Sequence, residues 1–185
     1  MKPNAQTVLN AVEADVRGQA DLSAYLKKHQ KRLLDFTDRW MREGVVLVFA
    51  FGSNLQKKQT QDRTGESVPF ARATLEGYAL AFAGQSRTWG GPVATVVPSR
   101  GKSTQGAVYA LTKGGLHLLD RYEGYPVVYG RKLMTVTLED GSQHKAWVYY
   151  HTRDAVAEPP SAAYAAAINN GRAEWGYGPL YFGRR

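Results

Sequence analysis

The most informative stretch of this sequence is residues 45–55, which read VVLVFAFGSNL. Its first seven residues form an unbroken run of apolar, β-branched and aromatic side chains, as expected of a strand buried on both faces. A Gly-Ser-Asn sequence follows at residues 52–54, and these residue types tolerate tight turns. Successive N–H groups at such a turn can hold a carboxylate or a developing oxyanion. An ordinary strand-ending turn explains the same residues, so both interpretations stay open.

The rest of the chain has several short strand patterns and few helices. Strands are predicted at 73–82, 93–97 and 107–111, with a loop over 56–70 and a flexible basic segment at 98–105. The segments 132–138 and 144–150 alternate around an Asp-Gly turn, which predicts a hairpin. Helices are predicted over 116–122, ending at Gly124, and over 161–170, with Gly171 as C-cap. This pattern favours an α+β fold, a small and mainly antiparallel β-barrel with flanking helices.

Residues 1–43 are predicted to be a helical N-terminal extension of a main domain at 44–185. Five large apolar residues recur there at helical spacing, and Gly44 ends the pattern: Leu22, Leu26, Leu33, Phe36 and Trp40. We expect this apolar stripe to cover the barrel or a second subunit, which would make a homo-oligomer through the N-terminal helix.

Composition excludes several classes of chemistry. The chain has 185 residues and no cysteine, so disulfides, thiolate metal sites and a cysteine nucleophile are excluded. The four histidines are scattered without metal-ligand spacing, so no metal site is predicted. No apolar run approaches the roughly 18 residues that span a bilayer, and the N-terminus lacks a secretory pattern, so we expect no membrane contact and a cytoplasmic location.

The net charge of +8 raises the question of nucleic-acid binding. The basic residues are scattered, and the chain has no recognisable helix-turn-helix, zinc-finger or RNP-like pattern. We therefore expect no specific nucleic-acid partner, while binding that persists at physiological salt would reverse this ranking.

A second notable stretch is residues 119–126, LDRYEGYP. Glu123 stands where a helix stops among aromatic residues, which would partly desolvate its carboxylate and raise the pKa of that carboxyl group. A carboxyl group with a raised pKa suits a general base near neutral pH. A charged cap at a short helix end is the alternative explanation.

Together the two stretches resemble the γ-glutamylcyclotransferase-like (AIG2-like) family. That family's signature is Tyr-Gly-Ser-Asn-Leu after a strand, then Leu-Asp-x-x-Glu-Gly-x-Pro and a following tyrosine. The first motif matches Phe51, Gly52, Ser53, Asn54 and Leu55, with phenylalanine in place of tyrosine. The second matches residues 119–126, and Tyr129 supplies the downstream tyrosine. The resemblance covers about residues 45–178.

The resemblance implies an enzyme that converts a small γ-glutamyl amide or γ-glutamylamine into 5-oxoproline and a free amine, without a cofactor. It implies Glu123 as general acid and base, and residues 51–55 and Tyr129 as substrate contacts. Phe51 alters the reaction only if the missing hydroxyl group normally touches substrate. The alternative is a non-catalytic protein that keeps the barrel and binds a small molecule or a protein. The sequence does not identify the leaving amine.

Overall fold

A computed structural model of the protein describes residues 31, 34–35, 37–40 and 42–183. Its strands, in chain order, are β1 (Val45–Ala50), β2 (Val68–Ser86), β3 (Gly91–Thr112), β4 (Tyr129–Leu138), β5 (Gln143–His151) and the short β6 (Ala155–Val156). A 3₁₀ turn spans Ser53–Leu55, and the α-helices after it are α1 (Lys57–Thr64), α2 (Lys113–Glu123) and α3 (Ala162–Glu174).

Five of these strands close into a barrel. The order around it is β3, β1, β5, β4 and β2, and β2 pairs back with β3 to complete the circle. The β1–β5 pair is parallel, and every other neighbouring pair is antiparallel. Closure leaves no open edge among the five, and β6 pairs with the far end of β2. The predicted α+β fold with a mainly antiparallel barrel is confirmed.

The central strand β1 is buried on both faces, as its unbroken apolar run predicts. Val45, Leu47 and Phe49 point into a core cluster that has members from all five barrel strands. Val48 and Ala50 point the other way, into a second cluster that includes apolar residues of α2. Two separate cores therefore hold β1 in place, and the turn at its carboxyl end starts from a rigid strand.

Several other local predictions are also confirmed. The hairpin forms from β4 and β5, with Val136 opposite His144 close to the turn. Helix α2 ends at Gly124, whose φ of 64° is the left-handed conformation that glycine adopts at helix ends. Gly124 N–H caps the helix, which fixes where Glu123, its last residue, stands.

The prediction of a loop over residues 56–70 is wrong, because α1 and the start of β2 lie there. The inner face of α1 carries threonines instead of an apolar stripe. Thr60 and Thr64 are buried one turn apart, and their hydroxyl groups donate to the backbone carbonyls of Asn54 and Thr60 respectively. Hydrogen bonding replaces hydrophobic burial on this face, and helical periodicity of apolar residues is therefore absent.

Two further boundaries differ from prediction. The segment 98–105 does not separate two strands, because β3 runs through it while still pairing with β2, and residues 99–102 bulge opposite Gly77. Helix α3 continues past Gly171 to Glu174. Gly171 does not cap the helix. It lets α3 pack closely against Leu55, because a Cβ at this position would lie 2.6 Å from the Cβ of Leu55.

The described residues between 31 and 43 are helical. Trp40 packs against the barrel core, Arg39 Nη1 lies 3.6 Å from Glu66 Oε1, and Leu34 is 60% exposed. Leu22, Leu26, Leu33 and Phe36 of the predicted stripe lie outside the described residues. In the described ranges, no helix is long and apolar enough to cross a membrane.

Candidate active site

A cavity of about 410 Å³ opens where the carboxyl end of β1 meets the end of α2. Its walls come from the turn after β1, the last turn of α1, strands β4 and β5, and the start of α3. The two motifs of the sequence analysis meet here, although 69 residues separate Asn54 from Glu123. The barrel brings them together because β1 and α2 share the second core cluster.

Glu123 is the acidic residue of this cavity. Its side chain is 11% exposed, and Asn54 Nδ2 donates a 2.8 Å hydrogen bond to its Oε1. Burial raises the pKa of the Glu123 carboxyl above its usual range, against the opposing effects of the Asn54 hydrogen bond and the nearby Arg63 charge. Glu123 is thus a buried carboxyl group that binds a proton more readily than an exposed glutamate.

Arg63, in the last turn of α1, is the nearest cation to Glu123. Its Nη1 lies 4.0 Å from Glu123 Oε1, and its side chain is 7% exposed. Nη1 donates a short hydrogen bond to Asn54 Oδ1 and a 3.4 Å hydrogen bond to Ser53 Oγ. Nη2 donates to the Tyr122 hydroxyl at 2.9 Å, and the guanidinium lies over the Tyr122 ring. The guanidinium therefore connects both motifs.

The turn at residues 52–55 is packed closely against α3 and β3. A Cβ on Gly52 would lie 3.0 Å from the Ala94 Cβ and 3.1 Å from the Tyr164 hydroxyl, so glycine is the residue that fits. Leu55 N–H bonds to the Gly52 carbonyl at 3.0 Å, which closes the turn. Ser53 and Asn54 line the cavity from this turn.

Two tyrosine hydroxyl groups hold the backbone of Ala94 at the cavity wall. Tyr129 donates to the Ala94 carbonyl at 3.1 Å, and Ala94 N–H donates to the Tyr164 hydroxyl at 3.1 Å. Burial raises the pKa of both phenols, so each ring stays uncharged at neutral pH. Tyr129 thus lies at the cavity, as predicted, and Tyr164 joins it.

Phe51 and Leu55 differ in their relation to the cavity. Phe51 is 7% exposed, packs 6.0 Å from the Phe49 ring, and also lines the cavity. Leu55 is fully buried in the second core cluster, outside the cavity lining. Its carbonyl accepts hydrogen bonds from Tyr109 and Trp175, and its N–H is used by the turn. Six of the seven predicted site residues therefore meet at the cavity, and Leu55 supports the turn from behind.

A charged cluster lies behind the end of α2 that carries Glu123. Asp120, one turn before Glu123, accepts a 2.6 Å hydrogen bond from the Tyr149 hydroxyl and lies 3.0 Å from Arg131 Nε. The Arg131 guanidinium is stacked between the rings of Tyr125 and Trp147. Tyr149 also lines the cavity, so this cluster joins the wall of the site to α2.

Comparisons with known proteins give the family. The family model for gamma-glutamyl cyclotransferase, AIG2-like proteins matches residues 48–167. The chain belongs to this family. A gamma-glutamylcyclotransferase of Bos taurus is 31% identical over 144 residues, which cover 75% of this chain and 76% of the bovine protein. A gamma-glutamylaminecyclotransferase of Homo sapiens is 33% identical over 101 residues, 51% of this chain and 63% of that protein.

A solved structure agrees. A gamma-glutamyl cyclotransferase structure aligns with a TM-score of 0.67 at 30% identity, covering 71% of this chain and 80% of that chain. The resemblance inferred from the two motifs is confirmed, and the chain is a cyclotransferase enzyme.

Sequence reasoning missed several residues of the cyclotransferase cavity, above all Arg63, Tyr164 and His151. Arg63 lies in the segment predicted to be a loop. The signal that could have found its helix is the spacing of Thr60, Thr64 and Gly65, two hydroxyl residues one turn apart before a glycine. Nothing local marks Tyr164 or His151, because their role depends on contacts more than 50 residues away.

Proposed function

We propose that this cyclotransferase converts a small γ-glutamyl amide or γ-glutamylamine into 5-oxoproline and a free amine, with Glu123 as general acid and base. The observation that carries the proposal is a buried carboxyl group in the cavity, Glu123, which has a raised pKa and accepts a hydrogen bond from Asn54.

The proposed reaction is an intramolecular amide exchange. The α-amino nitrogen of the glutamyl group attacks its own γ-carbonyl carbon, a new C–N bond closes a five-membered ring, and the bond to the leaving amine breaks. A base takes a proton from the α-ammonium group, and the same group returns it to the leaving amine. Folding the substrate so that these atoms meet can be worth on the order of 10⁵ to 10⁸ M in effective concentration. This chemistry requires no cofactor.

The hydrogen bonds of Glu123 suit this role. Asn54 donates to Oε1, which leaves Oε2 as the oxygen that we assign to the proton transfer. Desolvation makes the carboxylate more basic, and the Arg63 charge at 4.0 Å keeps it from being protonated too readily. Burial raises the Glu123 pKa, and the Asn54 hydrogen bond and the Arg63 charge oppose that rise, which suits a carboxyl group that must both accept and donate a proton.

His151 is the other candidate base among the described cavity residues, and its surroundings argue against it. Burial and the neighbouring Arg153 lower the pKa of its imidazole, so the ring is neutral near pH 7. Its Nδ1 accepts a 3.0 Å hydrogen bond from Arg153 N–H, so the ring proton is on Nε2. A neutral imidazole whose accepting nitrogen is already used has no lone pair to offer the substrate.

We further propose that residues 51–54 and Tyr129 hold the glutamyl group. The backbone N–H groups of the turn and the Ser53 hydroxyl would face the α-carboxylate and the γ-carbonyl oxygen. The Tyr129 hydroxyl, which donates to the Ala94 carbonyl, would accept a hydrogen bond from the substrate. A cavity of about 410 Å³ is of the size that binds small molecules, which supports a γ-glutamyl compound as substrate.

The test is a panel of γ-glutamyl amino acids and γ-glutamylamines incubated with the purified protein, with 5-oxoproline as the measured product. We expect turnover of at least one member. Glu123→Gln should reduce kcat by about 10² to 10⁴, since it keeps the shape and removes the base. Glu76→Gln, at an exposed carboxylate on β2, is the matched control and should leave kcat unchanged. An undiminished Glu123→Gln rate would contradict the assignment, and ligand binding without any turnover would favour a binding protein.

A further inference from the structure

The side-chain amide of Asn54 has a different chemical group at each end, and its orientation decides whether a hydrogen-bond donor or an acceptor faces Glu123. One end is an acceptor oxygen and the other is a donor nitrogen. The donor end faces Glu123 Oε1 at 2.8 Å, and the acceptor end faces Arg63 Nη1. Were the amide reversed, its oxygen would lie against the carboxylate oxygen, and two acceptors would face each other.

Arg63 is the group that selects between these orientations. A guanidinium carries donors and no acceptor, so only the oxygen end of the amide can face it. We infer that Arg63 is a positioning residue of this enzyme, which fixes the Asn54 amide so that it donates to Glu123. The inference rests on the proposed role of Glu123.

The Arg63 guanidinium is itself held in one place. It is bound by Tyr122 at Nη2, stacked on the Tyr122 ring at 4.0 Å, and within 3.4 Å of Ser53 Oγ. Because Asn54, Ser53 and Tyr122 accept three of the five N–H donors of the guanidinium, the arrangement favours a fixed support over direct capture of the substrate carboxylate. A planar fork of donors makes several bonds at once, which a lysine ammonium at the same position cannot reproduce.

Arg63 also supplies the positive charge near Glu123. Besides Tyr122, which accepts a hydrogen bond from Arg63, the other ionisable groups around the carboxylate in the described structure are three phenols, one imidazole and one paired carboxylate: Tyr129 on β4, Tyr149 and His151 on β5, Tyr164 on α3, and Asp120 one turn back on α2. Burial raises the pKa of the phenols and lowers that of the imidazole, so all four are uncharged at neutral pH. Asp120 faces Arg131. Loss of Arg63 therefore removes the positive charge that, together with the Asn54 hydrogen bond, opposes the rise in the Glu123 pKa.

The experiment compares Arg63→Met, Arg63→Lys and the control Arg121→Met in the full chain. Arg121 is an exposed arginine of α2 outside the cavity lining. Two measurements are made: the pH profile of kcat with the best substrate of the panel, and the titration of the Glu123 side-chain carboxyl by ¹³C NMR, assigned by its loss in Glu123→Gln. The NMR titration does not depend on turnover.

We expect Arg63→Met to lower kcat by about 10- to 100-fold and to move the acidic limb and the NMR midpoint to higher pH. Arg63→Lys keeps the charge and loses the fork, so kcat should stay reduced and the midpoint should rise less than in Arg63→Met, because only the Asn54 hydrogen bond to Glu123 is lost. In an Asn54→Ala background, Arg63→Lys should have no further effect on kcat, because Arg63 acts through Asn54. Arg121→Met should change neither quantity by more than about twofold.

The outcomes separate this inference from the proposed function. An unaltered protein that turns over no γ-glutamyl compound would defeat the proposed function. An active protein whose Arg63→Met midpoint is unmoved, or whose Arg63→Lys restores full kcat, would overturn the positioning role. A higher KM with an unchanged pH profile would also overturn it, and would show Arg63 binding substrate. If Arg63→Met does not fold, Arg63→Lys and the Asn54→Ala background still decide the question.

Discussion

Replacing Gly171 with alanine tests how the packing of α3 supports the active-site turn. The added Cβ would lie 2.6 Å from the Leu55 Cβ, 2.8 Å from the Gln56 nitrogen and 2.9 Å from the Leu55 carbonyl carbon. These atoms belong to the backbone or stand next to it, so no side-chain rotation relieves the contact. Ordinary carbon–carbon contacts lie at roughly 3.5 to 4.0 Å, so the helix or the turn must move by about 1 Å.

Two effects of opposite sign set the stability of Gly171→Ala. Overpacking a well-packed site typically costs about 1 to 3 kcal/mol. Alanine in place of glycine inside a helix returns about 0.8 to 1 kcal/mol. We therefore expect a net loss of up to about 2 kcal/mol in the free energy of unfolding. The displaced turn carries Ser53 and Asn54, and a 1 Å misplacement in an active site can cost on the order of 10²-fold in rate.

Urea denaturation and kcat/KM on the best γ-glutamyl substrate measure the two effects. Gly114→Ala on α2 is the matched control, since its Cβ would meet only the flexible end of Glu43 at 3.3 Å and the Thr112 hydroxyl oxygen at 3.7 Å. We expect that control to leave kcat/KM unchanged and to raise the free energy of unfolding by at most about 1 kcal/mol, which is the helix-propensity gain without overpacking. A Gly171→Ala protein as stable and as active as the Gly114→Ala control would refute the packing argument.

Three further outcomes follow from single contacts. Because burial raises the pKa of Glu123 above 4.5, the folded state prefers the protonated form, and stability is lost as pH rises through the raised pKa. The free energy of unfolding of Glu123→Gln relative to that of the unaltered protein should therefore grow with pH, as urea melts between about pH 4 and pH 8 would measure. If the difference between the two free energies does not change with pH, the carboxylate is well solvated. Tyr129→Phe loses the hydrogen bond to the Ala94 carbonyl, so it should lower stability in thermal melts by about 1 kcal/mol and should also lower kcat. An unchanged kcat would exclude the hydroxyl group from the reaction. Trp40→Ala in the full chain should lower stability by about 1 to 3 kcal/mol, and the control Leu34→Ala, at an exposed residue, should not. Equal melting temperatures for the two variants would show that the Trp40 contact with the core does not stabilise the protein.

Local features of the chain were predictable where one residue type dictates the backbone or the burial. The apolar run 45–51 required two cores, Asp140-Gly141 required a tight turn, and Gly124 required the end of α2. Each follows from the conformational freedom of glycine or from the cost of exposing apolar surface, which act over a few residues. The same local physics predicted a desolvated carboxyl group at Glu123, which the burial of its side chain confirms.

The sequence by itself therefore determined the central strand β1, the β4–β5 hairpin, the end of α2 and the two motifs that meet at the cavity. Only the tertiary structure decided how they face one another: that Arg63 lies 4.0 Å from Glu123, that Tyr164 closes over Gly52, and that Gly171 presses on Leu55. The reason is that these contacts depend on barrel closure, which joins segments 60 to more than 100 residues apart. The buried face of α1 is polar and its threonines form hydrogen bonds, so the sequence there has no periodic apolar pattern. The position of this helix could therefore not be predicted from hydrophobic periodicity.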